Sequence, residues 1–371
     1  MSLSFSAKRF FSFLVGILIF STSFASEHGS EEKKEFNVGE MIMHHVSDAH
    51  EWHLWGGHHD AVSVYLPVIL IDGGLKTFSS KHFYHGEHKS VQDTSAKKEV
   101  GYVLGVGPAA GYAMFEEEIY KLNNSNALEI NAGKVVNAEL PFDFSITKNV
   151  LSLFMGAILI LLIMSNVARF YKKNGPVAPK GLAKYLEVLI VMVRDDIAKA
   201  NIDHHKYQKY VPYLLTIFFF IFINNLLGLV PFLPGGANLT GNITVTLFLA
   251  VCTLLVTVFS ANKNYWLHIF AMPGVPKPLL IIMIPIELVG ILTKPFALMV
   301  RLFANMTAGH IIVLALVSII FINQSAAWGG LSVPMALFIS VLELLVAFLQ
   351  AFLFAMLSAL FIGAAVEEAH H

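Results

Sequence analysis

The sequence predicts an all-α polytopic membrane protein with about five membrane helices, two of them long and tilted. One interfacial amphipathic helix and a small β-rich extracytoplasmic N-terminal domain complete the expected fold. Three observations carry this reading. The chain is 56% hydrophobic and only 14% charged, where soluble globular proteins carry about 25% charged residues. Its mean hydropathy is +0.64. Its character also changes along the chain: residues 26–145 are polar and mixed, and long apolar runs take over beyond Thr147. The single cysteine, Cys252, lies in an apolar run, which excludes a disulfide framework or a cysteine-based metal site.

The N-terminus reads as a secretory signal over residues 1–25. Lys8 and Arg9 form a basic region, and Phe10 to Phe20 is an apolar stretch of eleven residues, short for a span. Ser23-Phe24-Ala25 offers small residues where a signal peptidase needs them. An uncleaved anchor is the alternative. Residues 26–145 form the expected extracytoplasmic domain. It is rich in histidine, with His44, His45, His50, His53, His58, His59, His82, His85 and His88. β-like runs follow at Ala61 to Ile71, Val100 to Phe115 and Asn126 to Phe144. Gly73-Gly74 and Gly107-Pro108 supply turns.

Residues 146–371 are the expected membrane domain. Asn149 to Val167 is apolar and long enough to cross a core of about 30 Å. Gly181 to Ala200 is amphipathic, with Leu182, Leu186, Leu189 and Val193 on one side, which suits a helix on the cytoplasmic surface. Val211 to Phe232 and Ile243 to Phe259 span again. Of the 13 Lys and Arg beyond residue 150, nine lie from Arg169 to Lys209, and Lys263 and Lys277 lie in the next loop on that side. The opposite loops, Pro231 to Gly241 and Asn323 to Leu331, hold none. This is the positive-inside pattern, with the N-terminus outside.

Two apolar runs are too long to stand upright. Ile281 to Ile322 would make a helix of about 63 Å, and Ser332 to Val366 one of about 52 Å, against a core of about 30 Å. Pro285 falls early, where a helix start tolerates it, and Pro295 is interior. The first run carries Glu287, Lys294, Arg301, Asn305 and His310; the second carries Glu343 and Gln350. Glu287, Lys294 and Arg301 are seven apart and share one face, drifting by about 20° per step. Lys294 can snorkel or pair with Glu287. Arg301 is different. A central Arg costs roughly 2.5–3.5 kcal/mol on insertion scales. It cannot shed its proton, and no acid lies within one turn of it. Its expected partner is a carboxylate on another subunit.

Lys294-Pro295-Phe296, Val300-Arg301-Leu302-Phe303-Ala304-Asn305-Met306 and Ala308-Gly309-His310 resemble the signature of the a-subunit family of F-type, rotary ATP synthases. Asn224-Asn225-Leu226-Leu227-Gly228-Leu229-Val230-Pro231, Thr240-Gly241-Asn242-Ile243, Leu349-Gln350-Ala351-Phe352 and the closing Glu367-Glu368 resemble its other motifs. The resemblance covers about Thr147 to Glu368. It implies a proton-channel stator subunit that forms two half-channels against a ring of c subunits, with the b-subunit stator stalk and the rest of the synthase as further partners. It implies proton-translocation roles for Arg301, His310, Glu343, Gln350, Glu287, Lys294, Asn305 and Asn225. His310, Glu343 and Asn225 go to the outer half-channel and Glu287 and Lys294 to the cytoplasmic one. Gly228 stands where some members carry an acid. The ion is H⁺ or Na⁺, with H⁺ expected. No cofactor and no catalysis by the chain itself are expected. Residues 26–145 match no motif of that family.

The histidine cluster keeps three readings: a metal site, for which His44, His45, His58 and His59 are the candidates, a proton buffer, or a solvated surface. The rival function is a secondary ion or metal transporter with a histidine-rich capture domain. No internal repeat of the kind such transporters show is visible. No nucleotide-binding or nucleic-acid-binding motif appears.

Overall fold

The computed structural model describes residues 39, 42, 43, 46–55, 62–95, 99–123, 127–175, 177–179, 181–230, 236–271 and 276–367. The expected signal peptide, His44, His45, His58, His59, the Pro231 and Pro234 turn and Glu368 lie outside these residues. All the described residues belong to one unit, Val38–His371.

The polar region is built from short antiparallel strands. β1 (Glu51–Trp55) pairs with β2 (Val62–Tyr65). β3 (Pro67–Ile71) lies between β4 (Leu75–Ser79) and β11 (Phe142–Asp143). A four-stranded sheet runs in the order β5 (Glu87–Gln92), β6 (Glu99–Leu104), β7 (Tyr112–Phe115), β8 (Glu118–Lys121). β9 (Ile130–Asn131) pairs with β10 (Lys134–Val135). A four-residue helix, α1 (Lys81–Tyr84), sits between β4 and β5. Strand alternation explains the packing. Tyr112 and Met114 of β7 enter a core with Val68, Leu70 and Phe83, and Ala113 and Phe115 enter a second with Tyr102, Leu128 and Ile130. Gly73 turns β3 into β4 at φ 61°, and Gly107 enters a 3₁₀ turn between β6 and β7 at φ 60°, as a left-handed backbone demands. Strands β1, β4, β5 and β8 escaped the hydrophobic pattern. β5 reads Glu-His-Lys-Ser-Val-Gln and is almost wholly exposed, so no apolar alternation marks it.

The domain is tied to the first membrane helix, α2 (Lys148–Asn174). Thr147 caps it, its Oγ1 accepting from Val150 N–H at 3.4 Å. Asp48 adds a second cap from far along the chain. It accepts from Asn149 N–H and from the Thr147 hydroxyl, each at 2.9 Å, and a carboxylate suits the positive end of a helix. Two residues on, His50 is 3% exposed and lies 3.7 Å from both Glu117 and Asp143. Burial alone would lower its pKa; the Asp143 and Glu117 carboxylates outweigh burial and raise it to about 9.

Among the described residues, five helices are long and apolar enough to cross a membrane. They are α2, α4 (Tyr207–Leu229), α5 (Ile243–Ser260), α7 (Lys277–Ile322) and α8 (Gly329–Val366). The amphipathic segment forms α3 (Leu182–Met192), which continues through a π-helical turn, Val193–Ala198, and a last turn, Lys199–Asn201. α6 (Lys263–Phe270), unmarked in the sequence pattern, lies between α5 and α7. One expectation is corrected. α7 starts four residues before Ile281, because Pro276 precedes it and Pro278 occupies its first turn, where a missing N–H costs nothing. Pro285 is therefore interior to the helix, like Pro295. At 46 and 38 residues, α7 and α8 are about 69 and 57 Å long, so neither can stand upright in a core of about 30 Å.

The helical core centres on α4. Phe218, Ile221 and Leu214 are fully buried in one core with Leu298 and Leu302 of α7 and a stripe of small residues on α8, Ala351, Ala355 and Ala359. Small side chains allow close helix approach where lipid supplies no hydrophobic drive. The stripe ends at Gly363, where an added Cβ would lie 1.9 Å from the Asn201 carbonyl. The last turn of α8 is closed by other elements: Val366 O accepts from Asn262 Nδ2 at 2.8 Å and from Lys206 Nζ at 3.1 Å.

Candidate proton path

The ionisable residues of α7 separate by face. Leu298 and Leu302 point into the core, at 2% and 1% exposure. Arg301 lies between them in sequence and faces outward, exposed, as do Lys294 and Asn305. Among the described residues no carboxylate lies within ion-pair distance of Arg301. Its neighbours on that face of α7, Ala297 and Ala304, are exposed and apolar. A permanent charge thus stands on an apolar outer surface. Gln350 of α8 is buried at 6% exposure, and no hydrogen bond joins it to Arg301 among the described residues.

His310, nine residues beyond Arg301, points elsewhere. Its Nδ1 lies 3.8 Å from Glu343 Oε1, with side chains 15% and 13% exposed. Two glycines create this meeting. A Cβ on Gly309 would lie 2.3 Å from Glu343 Oε1, so the carboxylate rests directly on the α7 backbone. A Cβ on Gly228 would lie 3.6 Å from His310 Nε2, so α4 closes the imidazole's other side with no side chain of its own. Asn225, fully buried, accepts from the Thr240 hydroxyl at 2.6 Å and donates to Ala347 O at 3.4 Å. It therefore joins α4, the 3₁₀ turn Leu239–Gly241 and α8. Thr307 of α7 donates to Gly241 O at 3.3 Å. The sequence pattern missed Thr240 and Gly309 as neighbours of these groups; nothing but their motif positions marks them.

Toward the other end of α7, Glu287 and Lys294 do not pair among the described residues, being about 10 Å apart along the helix. The Lys294 ammonium lies 5.6 Å from the centre of the Phe361 ring, a cation–π contact. Glu287 lies near Tyr265 of α6. Burial, reinforced by the Glu287 charge, raises the Tyr265 phenol above its ordinary range. Lys294, Thr253, Thr257, Tyr265, Pro295 and Phe361 border a small cavity. Among the described residues, no group of three His, Cys, Asp or Glu is placed to hold a metal.

Residues 150–363 match the family described as ATP synthase A chain, and residues 41–144 match a domain of unknown function. The chain is 50% identical over 234 residues to "ATP synthase subunit a" of Chloroherpeton thalassium, covering 62% of this chain and 69% of the relative. It is 52% identical over 234 residues to "ATP synthase subunit a 2" of Chlorobaculum tepidum, covering 61% and 65%. A relative from Anaeromyxobacter, "ATP synthase subunit a", is 38% identical over 351 residues, covering 92% of this chain and 74% of the relative.

Proposed function

Because this chain belongs to the ATP synthase A chain family, we propose that Arg301 is the fixed charge past which carboxylates of a rotating c-subunit ring must move. The chain is the non-catalytic proton-channel stator subunit of the F-type ATP synthase, a multi-pass membrane protein working within that complex. Nothing in the fold or the family match supports the transporter alternative.

One observation carries the mechanism: Arg301 is exposed on an apolar flank and has no acid of its own chain within reach among the described residues. A ring carboxylate arriving there is held ionised, since an opposite charge within about 4–6 Å favours the charged form. Its proton leaves through a cytoplasmic half-channel beside Glu287 and Lys294. The next carboxylate takes a proton from the outer half-channel, supplied through His310, Glu343 and Asn225, and turns into lipid neutral. His310 and Glu343 carry one imidazole and one acid, enough for a relay. Gln350 packs near Arg301 from α8, and Asn305 continues its face. The guanidinium also bars a direct leak between the half-channels. Each elementary charge that crosses releases about 2.3 kcal/mol per 100 mV, which drives rotation.

The charge distribution supports an inner-membrane orientation with residues 26–145 outside, residues 1–25 as their signal peptide and residues 146–371 as the membrane domain. H⁺ is the ion, and the b-subunit stalk is the second membrane partner. The test is Arg301→Ala in membranes carrying the whole complex. Ion-coupled ATP synthesis is lost while assembly, read from subunit content, is retained. Normal coupled synthesis sinks the mechanism.

A further inference from the structure

The small sheet that leads into the first membrane helix is apolar on both faces. Its middle strand, β3, turns Val68 and Leu70 into the domain core, where both are fully buried. Register sets the opposite face. Phe142, Ile71 and Leu75 stand in one row across β11, β3 and β4. Phe144 N–H donates to Ile69 O at 2.9 Å, and Ile69 pairs with Thr77, which makes a second row. Ile146 N–H donates to Pro67 O at 3.0 Å, and Pro67 pairs with Ser79, which makes a third. Seven of these nine residues are apolar and none is charged. Phe142 is 77% exposed and Leu75 71%, and Phe144 and Ile71 are exposed with them. The charges of the same strands stand on the inner face, since Asp143 and Lys76 both pair with Leu70. An antiparallel sheet with one face on a core normally shows water a polar one. A contiguous apolar face marks a contact surface.

What covers it follows from where the chain goes next. Ile146 is followed by Thr147, the cap of α2, and Lys148, its first residue. At about 3.4 Å per residue, Phe144 lies within about 14 Å of Lys148. From Asn149 to Ala168 α2 carries no charged residue, a run of about 30 Å that matches the hydrocarbon core. Lipid therefore begins within the first turn of α2, and the headgroup layer outside it adds about 5–8 Å. The alternating residues Leu140, Phe142, Phe144 and Ile146 carry an apolar stripe up to this boundary. There the exposed apolar side of α2 takes over, with Phe154, Ile158, Leu161 and Leu162. Protein interfaces carry regular hydrogen bonds. A face with no charge and only two hydroxyl side chains, Thr77 and Ser79, suits lipid instead.

We propose that the sheet β4–β3–β11 lies face down on the lipid surface beside α2, with Phe142, Phe144, Ile71 and Leu75 inserted at the headgroup level. Laid flat, the three rows reach one depth. Standing upright, the Phe142 row would sit about 14 Å further out than the Ile146 row, beyond the headgroups. Insertion without charge makes the contact indifferent to salt and to anionic lipid. The domain is then held at two points, by the Asp48 clasp on α2 and by this face on the membrane. The proposal needs only that α2 crosses the membrane and stands apart from the proton path.

The experiment uses the whole complex in phosphatidylcholine vesicles, on a Cys252→Ala background, with single cysteines carrying a nitroxide. Power saturation reads collisions with oxygen, which enriches in lipid, and with nickel ethylenediaminediacetate, which stays in water. Leu75→Cys and Thr77→Cys change only the exposed face. Ser90→Cys, exposed on β5, is the water reference, and Phe154→Cys, exposed on α2, is the lipid reference. The oxygen-to-nickel ratio at Leu75→Cys and Thr77→Cys is expected to lie roughly ten-fold above that at Ser90→Cys, since a polar complex is excluded from an apolar layer, and to hold in high salt. Adding Phe142→Glu should return the Thr77→Cys ratio to the Ser90→Cys level. Where one labelled variant fails to assemble, the other decides. A wild-type ratio equal to that at Ser90→Cys places the face in water and overturns the proposal. Labels shielded from both oxygen and nickel mean that a protein covers the face, which overturns it as well.

Discussion

Gly309→Ala tests the steric basis of the His310–Glu343 pair. The added methyl would lie 2.3 Å from Glu343 Oε1, 3.1 Å from its Cδ and 3.2 Å from its Cγ. Ordinary contact is about 3.5 Å, so the carboxylate must withdraw by about 1 Å. That moves it off the α7 backbone and lengthens a separation from His310 that is already 3.8 Å. Overpacking of this kind costs about 1–3 kcal/mol, which a complex of this size survives. A displacement of about 1 Å among groups that hand on protons can cost up to about 10²-fold, and we expect a fall of roughly ten-fold. The assay is the initial rate of ATP-driven proton pumping by the reconstituted complex, normalised to subunit content. Shortening the acid by one methylene supplies the missing space, so Gly309→Ala with Glu343→Asp pumps faster than Gly309→Ala alone. A wild-type rate in Gly309→Ala refutes the reasoning. So does a double variant no better than the product of the two singles.

Exchanging the pair, His310→Glu with Glu343→His, preserves one acid and one imidazole; near-normal proton flux is expected in the double variant and impaired flux in each single one. His50 gives a pH signature in the N-terminal domain. Its folded pKa of about 9 lies above the ordinary value near 6.5. The stabilisation is therefore complete below about pH 6.5 and is lost as pH rises through 9, a change of roughly 3 kcal/mol. Hydrogen exchange of residues 46–50 and 142–149 should accelerate from pH 7 to 10, after correction for intrinsic rates. In His50→Gln it should already be fast and nearly independent of pH; a wild-type profile in that variant removes His50 from the clasp. Asp48→Ala deletes the remote cap of α2 at about 1 kcal/mol. Faster exchange at Asn149 is expected in that variant, and recovery in Asp48→Asn, which keeps an acceptor.

Much of this molecule was legible in the chain. The five spans followed from apolar length, and the tilt of α7 and α8 from 1.5 Å per residue against a fixed lipid thickness. Arg301 stood out because no acid lies within one turn of it. Glu287, Lys294 and Arg301 were placed on one face by spacing alone. The small turn glycines Gly73 and Gly107 were readable from local chemistry. Polar, exposed β5 was not, since a strand held by its neighbours needs no apolar alternation of its own. Pro285 was misplaced because Pro278 opens the helix a turn earlier.

What the chain by itself determined is the set of local quantities: which segments are apolar, how long they are, and which charge cannot be tolerated without a partner. Only the tertiary structure decided who meets whom. Gly309 exists to seat a carboxylate 34 residues away in sequence, Asp48 caps a helix that begins a hundred residues later, and Asn224 turns an orphan oxygen toward the first helix. The physical reason is that periodicity fixes direction around one helix axis only. Contacts between axes depend on how closely two backbones approach, and in this protein that approach is set by glycines and alanines that carry no signal of their own.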